Sequence, residues 1–424
     1  MRKIQALLAV MVLVVGLFLM RESRLSPLDE VDKVFVDWLA ANTARNLPSP
    51  PCVLVEINDS SLGDKHSWPW SPLDYAVFLR AVIDFSPEVI AIAPVLSWED
   101  QQPGDDQTRQ LQFEHSLEEF ILRTKSVVLG AELGFPPDPD VVPPLQPTPF
   151  FRHVRGDVTV LRQFTAIDRE PEEEFRVAPQ LALGFTNLPS RDEIVRSVPL
   201  VFSYRGMVVP SFVLETVILA LKITNDDVTV DLGSSIDLGN RATIPIDAAG
   251  AMRIDFGSPT TRFAFDDLLL AVEQAHANRP PIIPLELLRG KTVLLARTDS
   301  ASRTLRLPSG RDGSPGEVFA AALATIENEA FARRVSPLFD FLIVAVLSAL
   351  GYFLVRWRIE RVIVTSLIVF IFYLLLSMTI FGAFLLSFPL LLPAGLLITI
   401  FVLRLLAPRL TPPIEDAKAE PVAP

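Results

Sequence analysis

Hydrophobic positions along this chain fall into two patterns. Residues 362–403 form a run of 42 without a single charged side chain, about twice the ~20 apolar residues a helix needs to cross a bilayer core. Ser387-Phe388-Pro389 lies inside that run, where a tight turn between two spans is expected. A second apolar run, 338–355, precedes it and is set apart by Arg356, Arg358 and Arg361. A third, 4–20, follows Arg2 and Lys3 and at ~1.5 Å per residue reaches roughly 25 Å. These runs predict four transmembrane helices, one N-terminal and three C-terminal.

The segment between them has the second pattern. Short apolar runs rich in β-branched residues, at 52–57, 89–93, 127–131 and 292–296, read as buried strands. Helical periodicity covers 72–85, 107–124 and 210–222. Strands alternating with helices of this length point to βαβ units and a parallel sheet covered on both faces. Segments 198–204, 243–247 and 251–256 look antiparallel. The predicted fold is α/β: a three-layer extracytoplasmic domain with a mixed, largely parallel sheet, plus four transmembrane α-helices. The corresponding boundaries are 1–20 for an anchor, 21–336 for the domain, 337–407 for three helices and 408–424 for a tail of disordered composition.

Charge sets the expected topology. Phe18-Leu19-Met20 offers no small residues for signal-peptide cleavage, so the first run is expected to remain as an anchor. With four crossings, Arg2, Lys3, Arg356, Arg358, Arg361, Arg404 and Arg409 share one side, and the positive-inside rule makes it the cytoplasm. Arg333 and Arg334 fall on the other side, which a long translocated domain tolerates. Both termini are thus expected inside, the domain outside, and the lipid bilayer is the first expected partner. Asp340 falls in the first turn of the second span, near enough to the interface to reach water.

Composition narrows the chemistry. The net charge of −12 leaves no basic footprint for nucleic acid. One cysteine, Cys52, excludes an internal disulfide and reads as a small buried strand residue. The four histidines show no metal-ligand spacing. Residues 310–316 precede a helix but lack the Lys-Ser/Thr of a phosphate loop and the spacing of a dinucleotide fingerprint. No catalytic residue, metal or cofactor is expected, and the chain is expected not to be an enzyme.

Several islands carry a resemblance. Val53-Leu54-Val55-Glu56-Ile57-Asn58-Asp59, then Trp68-Pro69-Trp70 and Tyr75, resemble the opening of the type-two CHASE domain, an extracellular sensory domain of bacterial cyclases and histidine kinases. Val89-Ile90-Ala91-Ile92, Asn187, Arg196, Pro199-Leu200 and Val209-Pro210-Ser211-Phe212 follow in the order of that family. So do Arg253-Ile254-Asp255-Phe256-Gly257, Gly290-Lys291-Thr292-Val293-Leu294-Leu295 and Pro315-Gly316-Glu317-Val318-Phe319. The resemblance spans most of residues 30–335 and implies one N-terminal and three C-terminal helices around a sensor. It also exposes departures. The family usually has an aspartate where this chain has Ala93-Pro94, a glycine at Ala296-Arg297, an Asp-x-Asp-Gly loop at 190–193 and a histidine at Phe319. Family members typically continue into a cytoplasmic cyclase or kinase, whereas only about 17 residues follow Ala407 here.

The resemblance implies a sensory or regulatory protein that signals to a separate cytoplasmic or membrane effector, with a homodimer as its expected state. The alternative is an envelope structural or assembly platform. Five residues are candidate ligand contacts: Asp59, Trp68, Trp70, Asp74 and Arg196. Asp59 stands at a strand's carboxyl end, where ligands bind in open α/β sheets, but also where an Asx turn or helix cap is common. Trp68 and Trp70 either stack on a ligand or pack as core aromatics. Arg196 precedes a strand and is suited to an anion or a salt bridge. Glu317, in the first turn of a helix, is read as complementing the helix dipole.

Overall fold

The computed structural model describes residues 2–25, 29–43, 52–62, 68–98, 107–136, 148–176, 181–189, 193–258, 260–308, 310–354 and 357–410. Ten α-helices occur among them: α1 (Arg2–Leu25), α2 (Asp29–Asn42), α3 (Pro72–Ile83), α4 (Gln107–Arg123), α5 (Phe212–Ala220), α6 (Phe265–His276), α7 (Pro315–Glu327), α8 (Pro337–Leu354), α9 (Ile359–Phe384) and α10 (Leu391–Leu410). The chain divides into two compact units, residues 46–331 and a helical unit formed by 1–45 with 332–424.

The 46–331 unit is built on six parallel strands: β1 (Cys52–Ile57), β2 (Val89–Ile92), β3 (Val127–Gly134), β4 (Leu181–Phe185), β5 (Thr261–Ala264) and β6 (Thr292–Arg297). Their order is β5-β1-β6-β2-β3-β4. In register, Val53 sits opposite Val293 on one side and Thr261 on the other. Ala166–Arg169 extends the far end of β3 as an antiparallel strand, so the sheet is mixed.

Both faces of this sheet are apolar, and each has its own core. Val53, Val55 and Ile57 of β1 pack with Phe78 of α3, Leu117 of α4 and Leu268 of α6. Cys52 and Leu54, pointing the other way, belong to the core of α5 and α7 with Phe212 and Leu323. Two-residue alternation with hydrophobes on both sides is what a doubly covered sheet requires. The predicted three-layer arrangement is the observed one. Smaller antiparallel ribbons add to these cores: Ser197–Pro199 with Ala251–Arg253, and Ser235–Leu238 between Val228–Asp231 and Thr243–Pro245, join the α5–α7 side, while Val201–Tyr204 with Met207–Pro210 contributes to both.

The helical unit differs from the expected four spans. Among the described residues two helices are long and apolar enough to cross a membrane, α8 with 18 residues and α9 with 26. The uncharged run is divided unequally: α9 and the turn after it take residues up to 390, leaving 391–403 before Arg404. The apolar stretches Val10–Arg21 of α1 and Leu391–Leu405 of α10 are correspondingly short. Both nevertheless pack with α8 in one cluster containing Val12, Val344, Leu347, Leu396 and Ile400. Glycines permit that approach: a Cβ on Gly16 would lie 2.6 Å from Val344, and one on Gly395 2.6 Å from Leu19, as in close-packed membrane helices. Asp340 is fully buried in this unit and lies 4.0 Å from the Arg334 guanidinium, which is 3.4 Å from Asp32.

Candidate functional site

Sheet topology places one cavity. The helices after β1 and β2 cover one face and the helix after β6 covers the other, although β6 lies between β1 and β2. Chains leaving the carboxyl ends of these strands therefore part, and a crevice opens where they do. A cavity of about 370 Å³ occupies that place, walled by segments that follow β1, β2, β4 and β6 and by the first turn of α7. That volume is within the range of small-molecule sites.

Aromatic residues form one part of the wall. Ser71 and Pro72 start α3 directly after Trp68-Pro69-Trp70, fixing the tryptophans beside the sheet's end. Trp70 is fully buried, with its ring centroid 4.6 Å from Phe265 and 5.5 Å from Tyr75. The indole N–H of Trp98 donates to the Trp70 carbonyl at 2.7 Å, and the Trp98 backbone N–H donates to Glu172 at 3.0 Å. These bonds join the post-β1 and post-β2 segments into one wall.

Arg297, at the end of β6, supplies the best-anchored charge. Its Nε and Nη2 donate to the two carboxylate oxygens of Asp299 at 2.8 and 2.7 Å, and its Cζ lies 3.9 Å from the Trp68 ring centroid. A guanidinium gripped along one edge and stacked on an indole is fixed in plane and position. Arg169 and Arg303 also line the cavity, and Glu132 is its one carboxylate among the described walls. Burial pushes the Glu132 carboxyl above its ordinary range; Asp168 adds to this, while Arg169 and Arg303 pull the other way. Gly316 lets α7 close the far side, since a Cβ there would meet the Ala296 Cβ at 2.7 Å.

The five sequence candidates separate here. Trp68 and Trp70 line the cavity; Asp59, Asp74 and Arg196 are not among its walls. Asp74 accepts from the Ser71 N–H and hydroxyl, both at 2.8 Å, so it caps α3. Asp59 accepts from the Ser300 N–H at 2.9 Å and its hydroxyl at 2.8 Å, tying the loop after β1 to the loop after β6. Those bonds hold its carboxyl below the usual range. The backbone carbonyl of Arg196 accepts from the Ile254 N–H at 2.9 Å, beside the Ser197–Pro199 ribbon. Glu317 is the N3 residue of α7's capping box with Ser314 and is engaged by Arg262 at 2.6 Å and Arg311 at 3.1 Å. Burial raises its carboxyl, but the two guanidiniums outweigh it and hold the group low.

Sequence reading passed over Arg297, Arg169 and Glu132 as individual contacts, because a lone charged residue at a strand end carries no motif. A signal was nonetheless present: Ala93-Pro94, Ala296-Arg297 and Phe319, three places where the chain leaves the usual CHASE pattern, all line this cavity. The fourth departure falls at 190–193, of which 190–192 lie outside the described residues. Elsewhere, carboxylate oxygens of Glu114, Glu172 and Glu174 lie within 4.8 Å of one another, a grouping of which Glu174 alone is exposed and in which Glu172 already serves the Trp98 N–H.

No curated protein and no solved structure matches the chain. A family model does: the CHASE2 domain, over residues 9–354. The match runs from the first helix through the whole α/β unit to the end of α8, and the chain belongs to the CHASE2 family of extracellular sensory domains.

Proposed function

We propose that this is a membrane-anchored sensory protein whose α/β domain lies outside a bacterial cytoplasmic membrane, binds a small ligand in the cavity at the strand ends, and signals to a separate effector protein. The observation that carries this reading is the cavity itself. It stands at the ligand-binding position of an open α/β sheet, in a member of a sensory family, with fixed aromatic and guanidinium walls. Its described walls hold no imidazole or thiol and a single carboxylate, which suits binding rather than acid–base chemistry.

The helical unit supplies the anchor. α9 carries no charge after Arg361, and Val364, Leu367, Ile368, Phe372 and Leu375 are exposed along it, as a lipid-facing helix requires. α1 and α10 pack beside α8, which supports a reading in which they cross with it and both termini are cytoplasmic. A sensor needs a ligand with different affinity for two arrangements of the protein, and homodimerisation through the helices would give such arrangements.

Cross-linking in native membranes, purification through a tag at Pro424 and mass spectrometry test the effector. Recovery of a kinase, cyclase or other output protein in stoichiometric amount is expected. Recovery of envelope proteins alone would sink the split-receptor reading and favour an assembly platform.

A further inference from the structure

We propose that the cavity binds a small organic carboxylate with an aromatic or otherwise flat apolar body, reading its charge with Arg297 and Arg169 and its body with the walls around Trp68 and Phe319. This rests on the sensory reading above and names the chemistry of the ligand.

Two arginines carry the inference. Arg297 spends Nε and Nη2 on Asp299, whose side chain is 1% exposed. Its Nη1 makes no hydrogen bond among the described residues, and the group is one-fifth exposed rather than sealed in the core. A guanidinium's remaining edge, oriented in advance by a buried carboxylate and an indole, is a ready donor pair for a second carboxylate. The Arg169 side chain lines the same cavity with no side-chain hydrogen bond or close ion pair among the described residues; its charge acts on Glu132, and it is exposed. Arg303 donates to the Pro189 carbonyl, a neutral partner that leaves its charge uncompensated. Counting Asp299 against Arg297 and Glu132 against one of the others, the walls retain positive charge, so an anion is favoured over a cation.

The rest of the lining sets the body. Pro69, Pro94, Leu188, Ala296 and Phe319 offer apolar surface to a ligand, more than a bare inorganic anion would use. The 370 Å³ volume accommodates a single-ring acid with room for a larger one.

Isothermal titration calorimetry on the full chain in detergent micelles tests this with four probes: benzoate, its neutral counterpart benzamide, its cationic counterpart benzylamine, and inorganic phosphate. Saturable binding of benzoate is expected, with Kd of about 1 mM or tighter. Benzamide should bind at least about tenfold more weakly, and Arg297→Gln and Arg169→Gln should each weaken benzoate by about 10- to 100-fold. Arg169→Gln guards against misfolding, since that side chain is exposed and makes no side-chain hydrogen bond or close ion pair among the described residues; its thermal midpoint without ligand should stay close to that of the parent. No saturation with benzoate, equal affinity for benzamide, or unchanged benzoate affinity in Arg169→Gln overturns the proposal. Saturable benzylamine or phosphate in place of benzoate also overturns it, yet leaves ligand sensing intact. Effector capture in native membranes reports on sensing independently of any of these probes.

Discussion

Glu215 occupies an environment at odds with its chemistry. It sits in the middle of α5, 5% exposed, among Phe212, Val213, Leu214 and Val217, and its Oε2 has no hydrogen-bond partner among the described residues. Burial pushes its carboxyl up to about 8, an Asn225 hydrogen bond opposing only in part. The folded state therefore holds a proton that the unfolded chain has released above the ordinary carboxylate range. Stability from this group is complete below about pH 4.5 and is lost as pH rises towards 8. At about 1.4 kcal/mol per pKa unit the loss amounts to a few kcal/mol. Glu215→Gln should flatten that slope and leave the variant more stable than the parent at pH 8. Urea midpoints at pH 5 and pH 8 decide it, and equal slopes in parent and variant would show that Glu215 is not the titrating group. Nothing in the sequence marked Glu215, because a carboxylate in an apolar helix reads as a surface position until its neighbours are known. Trp68 and Trp70 were legible because two indoles around a proline at a helix start have few places to go. Asp59 at a strand end and Asp74 on the helix that follows were legible only as polar groups; Ser300 and Ser71 claim them, and only the former comes from a distant part of the chain.

At the level of elements, long apolar runs and capped helices were readable and short edge pieces were not. Strand β1 falls on its predicted bounds, and α3 and α4 start where predicted and end within two residues. β4 escaped because Leu-Ala-Leu-Gly-Phe has weak strand propensity. It is a strand because Gly184 admits α5: a Cβ there would meet the Phe212 Cα at 2.5 Å. β5 escaped as a four-residue edge strand that only its pairing with β1 defines, and α6, which follows it directly, escaped with it. The same logic governs α7. Its N-terminus closes the cavity because Ser314 caps it and Gly316 fits against Ala296. Gly316→Val should therefore cost about 1–3 kcal/mol by overpacking and should also weaken ligand binding. Ser314→Ala should cost about 1 kcal/mol through the lost cap while leaving α7 in place. Thermal denaturation of the two variants, compared with the parent, separates the effects; a Gly316→Val protein as stable as the parent would mean that α7 shifts freely and does not fix the cavity wall.

On the scale of the whole molecule the question is how the helical unit meets the membrane. The Arg333–Arg334 segment pairs in parallel with Leu386–Ser387, in the turn between α9 and α10. Asp32 of α2 joins it, accepting from the Leu390 and Leu391 N–H groups at 2.7 and 3.0 Å and lying 3.4 Å from Arg334. The start of α10 is thus held at the same end of the unit as the start of α8. If α8 crosses the bilayer inward, α10 lies beside it and runs the same way, which carries the tail inside even though its apolar stretch is short. The single native cysteine, Cys52, is 1% exposed, so introduced cysteines report without background. Lys125→Cys, on an exposed position of the α/β unit, should react with a membrane-impermeant maleimide in intact spheroplasts. Ala417→Cys, in the tail, should react only after the membrane is permeabilised. Labelling of both in intact spheroplasts would mean that α8 and α9 alone cross, and that α10 returns the tail to the outer side without spanning. Labelling of the tail alone would invert the orientation and remove the α/β domain from the outside altogether. The expected pattern joins two constraints: the backbone donors capped by Asp32 and the Arg334 charge belong together at one interface, and Arg2, Lys3, Arg356, Arg358 and Arg361 at the opposite ends of the helices mark that other side as cytoplasmic.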